Sequence, residues 1–142
     1  MKKSQLAIEN FKTQNCSQSV LLSFAEELNL DKLTALRISA GFGGGMAMGE
    51  TCGAVTGACM VLGLKVQSEG KTIQELKAET KTAVRKFNEL FLARHGSLQC
   101  KKLLGVDTST PEGAALANEK DLFNTVCSGL VASAAEILET NF

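Results

Sequence analysis

The pattern of hydrophobic and polar positions along this chain is typical of an α-helical protein. No segment alternates strictly between apolar and polar residues, as a half-buried strand would. Apolar residues recur instead at intervals of three and four, and Pro111 is the one proline. We therefore predict an all-α fold, a compact bundle of about five or six helices.

Two segments carry clear helix boundary signals. Asn15 followed by Gln18 resembles a capping box and predicts a helix that starts there. Thr72 followed by Glu75 is a second capping box, which opens a long amphipathic segment. Gly96 follows two basic residues, as a glycine just beyond a helix end often does, so this helix should stop there.

The stretch Thr51–Leu64 is apolar nearly all round, which predicts a buried central helix near residues 51–64. Gly53 and Gly57 give this helix one face that is almost free of side chains. A last helix, predicted from about Asp121 to Glu139, has a similar face of small residues. We expect these two faces to pack closely against each other.

The remaining segments are less regular. The glycine-rich run 41–49 should form a flexible turn, and residues 96–109 should form a long connection. Thr110 before Pro111 is typical of a helix start. Because there is no linker, repeat or low-complexity tail, residues 1–142 are predicted to form one domain.

Composition excludes several function classes. The 142 residues include 15 Lys plus Arg and 15 Asp plus Glu, so the formal net charge is zero. With no Trp or Tyr either, neither nucleic acid nor an anionic membrane is an expected partner. The longest apolar segment, 54–66, is too short to span a bilayer. We expect a cytoplasmic protein without direct membrane insertion.

Cysteine is the residue type that suggests chemistry. Thiols in the cytoplasm are reduced by default, so five cysteines favour ligation or catalysis over structural disulfides. Cys52 and Cys59 would lie about 10 Å apart on one helix, too far for a disulfide. Cys59 is therefore interpreted as a small buried hydrophobic residue. The other four are dispersed, so only the fold could bring them together: Cys16, Cys52, Cys100 and Cys127.

The predicted positions of two cysteines favour the thiolate. Cys52 stands at the start of the buried helix and Cys16 in the first turn of another. A helix N-terminus carries partial positive charge, which lowers a thiol pKa. If the small faces of the two helices meet, Cys127 should come near Cys52.

Three kinds of site remain open for these thiols. A Cys₄ zinc site or a [2Fe–2S] cluster needs four thiolates, although no Cys-x₂₋₄-Cys pair typical of zinc sites occurs. Disulfides or a dithiol pair are the alternative. The candidate metal ligands are Cys16, Cys52, Cys100 and Cys127. The candidate catalytic pair, for thiol redox chemistry, is Cys52 and Cys127.

Glycines near Cys52 are candidate cofactor-binding positions. Backbone amides without side chains can hydrogen-bond to sulfur, so a cluster could be cradled by Gly43, Gly44, Gly45 and Gly53. The same run matches neither dinucleotide nor phosphate-loop patterns.

Four other polar or sulfur-containing residues receive structural interpretations. His95 should be a cation at a helix end, and Glu50 should cap the buried helix. Met46 and Met48 should fill the core near the glycine turn. Since no Ser-His-Asp or Cys-His spacing is evident, hydrolysis is not predicted.

Three stretches together resemble a known family. They are Asn15–Val20, Ser39–Met46 and the Cys52-containing run Glu50–Gly57, and they resemble the C_GCAxxG_C_C family. The four dispersed cysteines fall on the family positions. The resemblance implies redox activity based on these cysteines, and it names no substrate. Genes of this family often lie beside transporter genes.

The first functional hypothesis is a redox protein, an oxidoreductase or electron carrier, whose four cysteines hold an iron–sulfur cluster or another metal. Zinc, or no cofactor, is the alternative occupancy. The second hypothesis is thiol–disulfide exchange, with Cys52 attacking and Cys127 or Cys16 resolving. The third is a helical partner-binding domain accessory to a transporter. A redox partner of unknown identity is expected, and side-chain-poor helix faces would allow a homodimer.

Overall fold

A computed structural model describes residues 1–142, and the chain in it is all-helical. The all-α prediction is confirmed, but the predicted number of helices is wrong. Short helices such as α6, with only five residues, give no readable periodic pattern. The eight helices in chain order are α1 Lys3–Phe11, α2 Cys16–Ala25, α3 Lys32–Ser39, α4 Gly53–Lys65, α5 Ile73–His95, α6 Cys100–Leu104, α7 Pro111–Glu119 and α8 Ser128–Asn141.

The predicted boundary signals are present at two helices. At α2 the Asn15 side chain accepts from the Gln18 backbone N–H at 2.9 Å, and the Gln18 side chain accepts from the Asn15 N–H at 3.0 Å. At α5 Thr72 and Glu75 form the corresponding pair of bonds. Gly96 ends α5 with φ of 80°, a left-handed conformation that glycine adopts without strain.

Helix α4 lies at the centre of the core, as its apolar composition predicts, and begins at Gly53 with Cys52 as its N-cap residue. Large side chains from α2, α5 and α8 pack around it. Each of the following is at most 1% exposed: Phe24, Phe87, Phe91 and Ile137. Burial of this set supplies the hydrophobic stabilisation that fixes the helices around α4.

The small face of α4 packs against α2, so the predicted packing of this face against the last helix is wrong. A Cβ atom at Gly53 would lie 2.8 Å from the Cβ of Cys16, and one at Gly57 would lie 2.7 Å from the Ser17 carbonyl oxygen. Gly129 on α8 has no atom within 4 Å of its would-be Cβ. Small-residue spacing identifies a face that allows close approach, but it does not identify the partner helix.

The glycine-rich segment forms a left-handed turn. Gly44, Gly45, Met46 and Ala47 have φ between 59° and 63°. A left-handed conformation costs roughly 1–2 kcal/mol for each residue other than glycine. Met48 is 53% exposed, so its interpretation as core filler is wrong.

The second half of the chain differs from prediction at two places. Residues 96–109 are not one connection, because α6 forms inside them and begins at Cys100. The last helix is interrupted: Phe123–Cys127 forms a wide, π-type turn before α8 starts at Ser128. No single helix has the length and apolar composition to cross a bilayer, though the bent pair Pro111–Glu119 and Phe123–Asn141 passes that test together.

Candidate functional site

One cavity of about 400 Å³ has all four dispersed cysteines in its wall. Cys52, Cys100 and Cys127 are at most 8% exposed, and Cys16 is partly buried. All are free thiols. Cys59 lies away from the cavity and packs, partly buried, against the main core. The rest of the wall is mixed, with Phe11, Leu104, Phe123 and Leu130 among its apolar residues and Asn15, Thr108 and Asn124 among its polar ones.

The contact between α2 and α4 places Cys16 beside Cys52. Cys16 is the first residue of α2, and Cys52 directly precedes α4. A Cβ atom added at Gly53 would lie only 2.8 Å from the Cβ of Cys16. Because glycine has no side chain, Cys16 can pack directly against the backbone at Gly53. The glycine after Cys52 therefore allows two helix N-termini to converge on one cavity.

A short backbone pairing places Cys52 beside Cys100. The Cys52 N–H donates to the Leu98 carbonyl at 2.7 Å, and the Cys100 N–H donates to the Glu50 carbonyl at 2.6 Å. Thr51 and Gln99 form an antiparallel bridge, so Cys52 lies opposite Leu98. Cys100 is two residues along the same segment from Leu98, and residues two apart point to the same face. The side chains of Cys52 and Cys100 therefore reach the cavity from the same face of the pairing.

Cys127 comes from the wide turn that precedes α8. It forms a small apolar cluster with Cys100 and Leu104, against which Cys16 and Phe123 pack. This cluster is separate from the main core of the bundle. Cys52 belongs to the main core, and Cys16 packs against both clusters, so the four thiols lie where the small cluster meets the main core.

Burial raises the pKa of Cys52 to about 12. The backbone N–H groups of Ala54 and Val55 act in the opposite direction but are outweighed by desolvation. The prediction of a low thiol pKa at Cys52 is therefore wrong. The helix N-terminus is present as expected and lowers the pKa, but desolvation raises it by more.

Cys16 and Cys127 behave as a pair. A hydrogen bond with the Cys127 thiol, together with burial, raises the pKa of Cys16 well above its ordinary value. The same hydrogen bond lowers the pKa of Cys127. The expectation that a helix start favours the Cys16 thiolate is thus also wrong, and the charge in this pair is favoured on Cys127.

Cys100 is influenced by the loop that follows α6. Burial and the neighbouring Cys127 raise its pKa, a hydrogen bond from the Thr108 hydroxyl lowers it, and the Asp107 carboxylate raises it. Sequence reasoning did not single out Thr108 or Asp107. The one available signal was their position in a connection that already contained a cysteine.

The four candidate glycines divide into two groups. Gly44 and Gly53 are part of the cavity wall. Gly43 packs against Asn15, and a Cβ at Gly45 would meet the Cys100 Cβ at 3.0 Å as well as the Glu50 backbone. Gly43 and Gly45 thus act by letting neighbouring segments approach, and their backbone is not part of the cavity wall.

Glu50 and His95 lie outside the cavity wall. Glu50 does not cap α4, contrary to prediction, because its carboxylate pairs with Lys101 at 3.4 Å on the other side of the bridge. His95 is in the last turn of α5 and lies 2.8 Å from the Ser133 hydroxyl. Burial lowers the pKa of His95, with a smaller contribution from the adjacent Arg94 charge, which opposes the charged form predicted at this helix end.

The donor chemistry of the cavity is that of soft metals. Its wall contains four thiols but no carboxylate or imidazole, and thiolates suit iron–sulfur clusters and zinc. The side chains as they stand form no group of three or more His, Cys, Asp or Glu that could hold one metal ion. The types of donor present, and not their present spacing, are what suits a thiolate-bound metal group.

A family model for the "putative redox-active protein (C_GCAxxG_C_C)" matches residues 14–141. The chain belongs to this family. The family name spells out four cysteines, one of them in a glycine-containing motif, and in this member all four dispersed cysteines line one cavity. No curated protein and no solved structure shows significant similarity to the chain.

Proposed function

We propose that this C_GCAxxG_C_C protein carries electrons on an iron–sulfur cluster held by its four dispersed cysteines. The observation that carries the proposal is the convergence of these cysteines, from four separate segments, on one cavity. The proposed ligands are Cys16, Cys52, Cys100 and Cys127.

The electrostatics of the cavity support a bound cation. Cys16 and Cys52 have raised pKa values, in part because the neighbouring thiols oppose their ionisation. Lys12 is the one cationic side chain in the wall, and it is exposed and paired with Glu9 at 2.8 Å. Four thiolates here would therefore lack compensating charge, which bound iron supplies.

The size of the cavity favours a cluster over one zinc ion. Its volume of about 400 Å³ is more than ten times the roughly 30 Å³ that a water molecule occupies. A single ion would need three or four donors drawn close around it, and no such group is present. Four thiols in the wall of a cavity this wide suit a polynuclear group better.

The protein's own contribution is positioning and exclusion of water. Helices α2 and α4 hold Cys16 and Cys52, the backbone bridge holds Cys100, and the turn before α8 holds Cys127. Apolar side chains such as Leu104 separate the thiols from solvent. A bound iron–sulfur cluster supplies one-electron transfer, at a potential that burial and hydrogen bonds to sulfur adjust.

Thiol–disulfide exchange is the second candidate, and the contact between Cys16 and Cys127 favours it. In this reaction the two thiols lose two protons and two electrons and form one S–S bond. A partner disulfide accepts both electrons and two protons and becomes two thiols. The contact makes Cys16 and Cys127 a candidate pair for this chemistry. The predicted pair of Cys52 and Cys127 stays a prediction.

Anaerobic purification, or reconstitution with ferrous iron and sulfide, tests the first candidate. We expect visible absorption bands with iron and acid-labile sulfide bound to the wild-type protein. Replacement of any one of the four cysteines by serine should remove them, whereas Cys59→Ser, the matched control, should retain them. A folded wild-type protein that binds no iron under these conditions contradicts the proposal.

The second candidate has its own test in metal-free protein. Mild oxidation followed by peptide mapping should show a disulfide between Cys16 and Cys127. The pair should be reduced again by a dithiol, with two electrons consumed per protein. Random pairing that also involves Cys59 would argue against a dedicated dithiol.

A further inference from the structure

The first half of α5 has apolar side chains that the chain itself does not cover. The two buried residues of this helix, Phe87 and Phe91, both belong to its second half. Ile73 is 67% exposed, and Leu76, although partly buried, packs against neither hydrophobic cluster. A groove of about 930 Å³, which we call the α5 groove, has both of these residues in its wall, together with Val84.

Three cations lie in the wall of the same groove: Lys77, Lys81 and Arg85. None of them is part of an ion pair. Their spacing of four residues makes them neighbours on the helix surface, where like charges repel. No acidic residue stands three or four positions away from Lys77 or Lys81, and no Asp or Glu lines the groove. The α5 groove thus combines open apolar surface with positive charge that no ion pair within the chain neutralises.

The acidic residues of this part of α5 lie elsewhere. Glu75 and Glu79 are not part of the groove wall, and the Glu79 carboxylate pairs with Lys71 at 2.6 Å. The groove of a second copy of this chain would carry the same three cations. Charge therefore does not favour the pairing of two α5 grooves, and it favours an acidic partner instead.

We propose that the α5 groove is a docking surface for an acidic amphipathic helix of another protein. Apolar side chains of that helix pack against Ile73 and Leu76, as in other helix-in-groove complexes. Its carboxylates pair with the three cations. Lys77 and Arg85 are about 12 Å apart along the helix axis, so carboxylates at the same spacing on a helix aligned with α5 reach all three.

The α5 groove is remote from the cysteine cavity. The two walls have no residue in common. From Lys81 to the end of α5 at His95 is about 21 Å along the helix axis, and Cys100 follows only after that end. A partner docked in the groove leaves the cavity open, so this inference does not depend on what the cavity binds.

The test measures the binding of a labelled synthetic peptide to the full chain by fluorescence anisotropy. The peptide has roughly three heptads with Leu at the a and d positions and Glu at e and g, so that its own charges oppose self-association. We expect binding that weakens roughly tenfold when Lys77→Gln, Lys81→Gln and Arg85→Gln are combined, since three exposed ion pairs are lost.

The matched control combines Lys32→Gln, Arg37→Gln and Lys120→Gln. It removes the same charges from exposed positions outside the groove, so it should bind the peptide like the wild-type chain. Ile73→Ser, which changes no charge, should also weaken binding because it removes an apolar contact.

A charge reversal tests the specificity of the groove. The combined variant Lys77→Glu, Lys81→Glu and Arg85→Glu should reject the acidic peptide and bind the same peptide with Lys at e and g. Circular dichroism shows whether each variant is folded. Should the glutamine variant lose its helical signal, Ile73→Ser and the charge reversal decide the matter.

The inference is overturned if the wild-type chain does not bind the acidic peptide, or if the groove variant and its matched control bind it equally. It is also overturned if the wild-type chain binds vesicles of anionic phospholipid through the three cations, because the groove would then serve a membrane surface. A dimer of the wild-type chain that Ile73→Ser dissociates would likewise assign the groove to a second copy.

Discussion

Cys52 and Cys59 lie close together in the chain and both contact the main core, but only Cys52 also lines the cavity. Cys52 is at the N-terminus of α4 and faces a cavity with three other thiols in its wall. Cys59, two helical turns further on, packs against the hydrophobic core and is part of no such group. Burial raises the pKa of both thiols. Burial alone therefore does not distinguish the two cysteines; convergence with other thiols does.

The same contrast holds for the two ends of the bundle. The core around α4 and α5 is filled by large side chains such as Phe87 and Phe91, which stack with ring centroids 5.8 Å apart. At the cysteine end, Phe11 and Phe123 instead line an open cavity, together with Gly44 and Gly53. One end of the bundle supplies most of the stability, and the other retains space.

The largest expected effect is the complete loss of bound iron in Cys52→Ser. A serine oxygen is a harder donor than a thiolate and binds the iron of a cluster less well, so the site should not retain it. Iron and sulfide analysis of Cys52→Ser against Cys59→Ser measures the difference. Equal iron content in the two variants would remove the distinction between the two cysteines.

A core substitution should give the opposite result. Phe87→Ala removes a fully buried ring and should lower the free energy of unfolding by about 3–5 kcal/mol. The folded fraction should still bind iron in the wild-type ratio, because the ring is not part of the cavity wall. Urea unfolding and iron per folded protein check the two parts. Loss of iron in fully folded Phe87→Ala would show that the two ends are not separate.

Two glycines of α4 sharpen the comparison further. Gly53→Ala would place a Cβ 2.8 Å from that of Cys16, and such overpacking costs about 1–3 kcal/mol. Gly63→Ala is the matched control, because its nearest neighbour is 3.9 Å from the new Cβ. Since alanine is a better helix former, Gly63→Ala should stabilise the protein by about 0.5–1 kcal/mol. Thermal unfolding of both variants should therefore shift in opposite directions.

The smallest effect is a pH dependence that arises from Cys59. Burial raises the pKa of Cys59 in the folded protein above its ordinary value of 9.0, so the folded state keeps the neutral thiol where the unfolded chain ionises. This stability is fully present below the ordinary pKa and is lost as pH rises above it. The loss is at most about 1.4 kcal/mol per pH unit.

Cys59→Ala lacks this ionisation and provides the comparison. The difference in unfolding free energy between wild-type and Cys59→Ala metal-free protein should change with pH only on the alkaline side of the ordinary thiol pKa. If the unfolding free energies of the two proteins change in parallel with pH, burial does not disfavour the Cys59 thiolate, and the prediction is wrong.

Helix boundaries were predictable from the sequence where the interactions that decide them lie within one helical turn. The capping pairs Asn15–Gln18 and Thr72–Glu75 are examples, and so is Gly96 at the end of α5. The break before α8 was not predictable in this way. It depends on a wide turn from Phe123 to Cys127 whose residues have no distinctive helix-breaking composition.

The candidate site was predictable as a set of residues but not as a geometry. Dispersed cysteines and a glycine beside Cys52 suggested a common pocket. The packing of Gly53 against α2 and the bridge that carries Cys100 both depend on segments distant in sequence. Periodicity gives the face of a helix, and only three-dimensional packing gives its neighbour.

The sequence by itself determined the helical class, the buried character of α4 and the family to which the chain belongs, because these follow from local spacing and residue type. The tertiary structure alone decided which helix meets the small face of α4 and which thiols lie together. It also reversed the expected ionisation of Cys52, since desolvation depends on everything packed around a group. A helix N-terminus is a local property, whereas burial is a property of the whole fold.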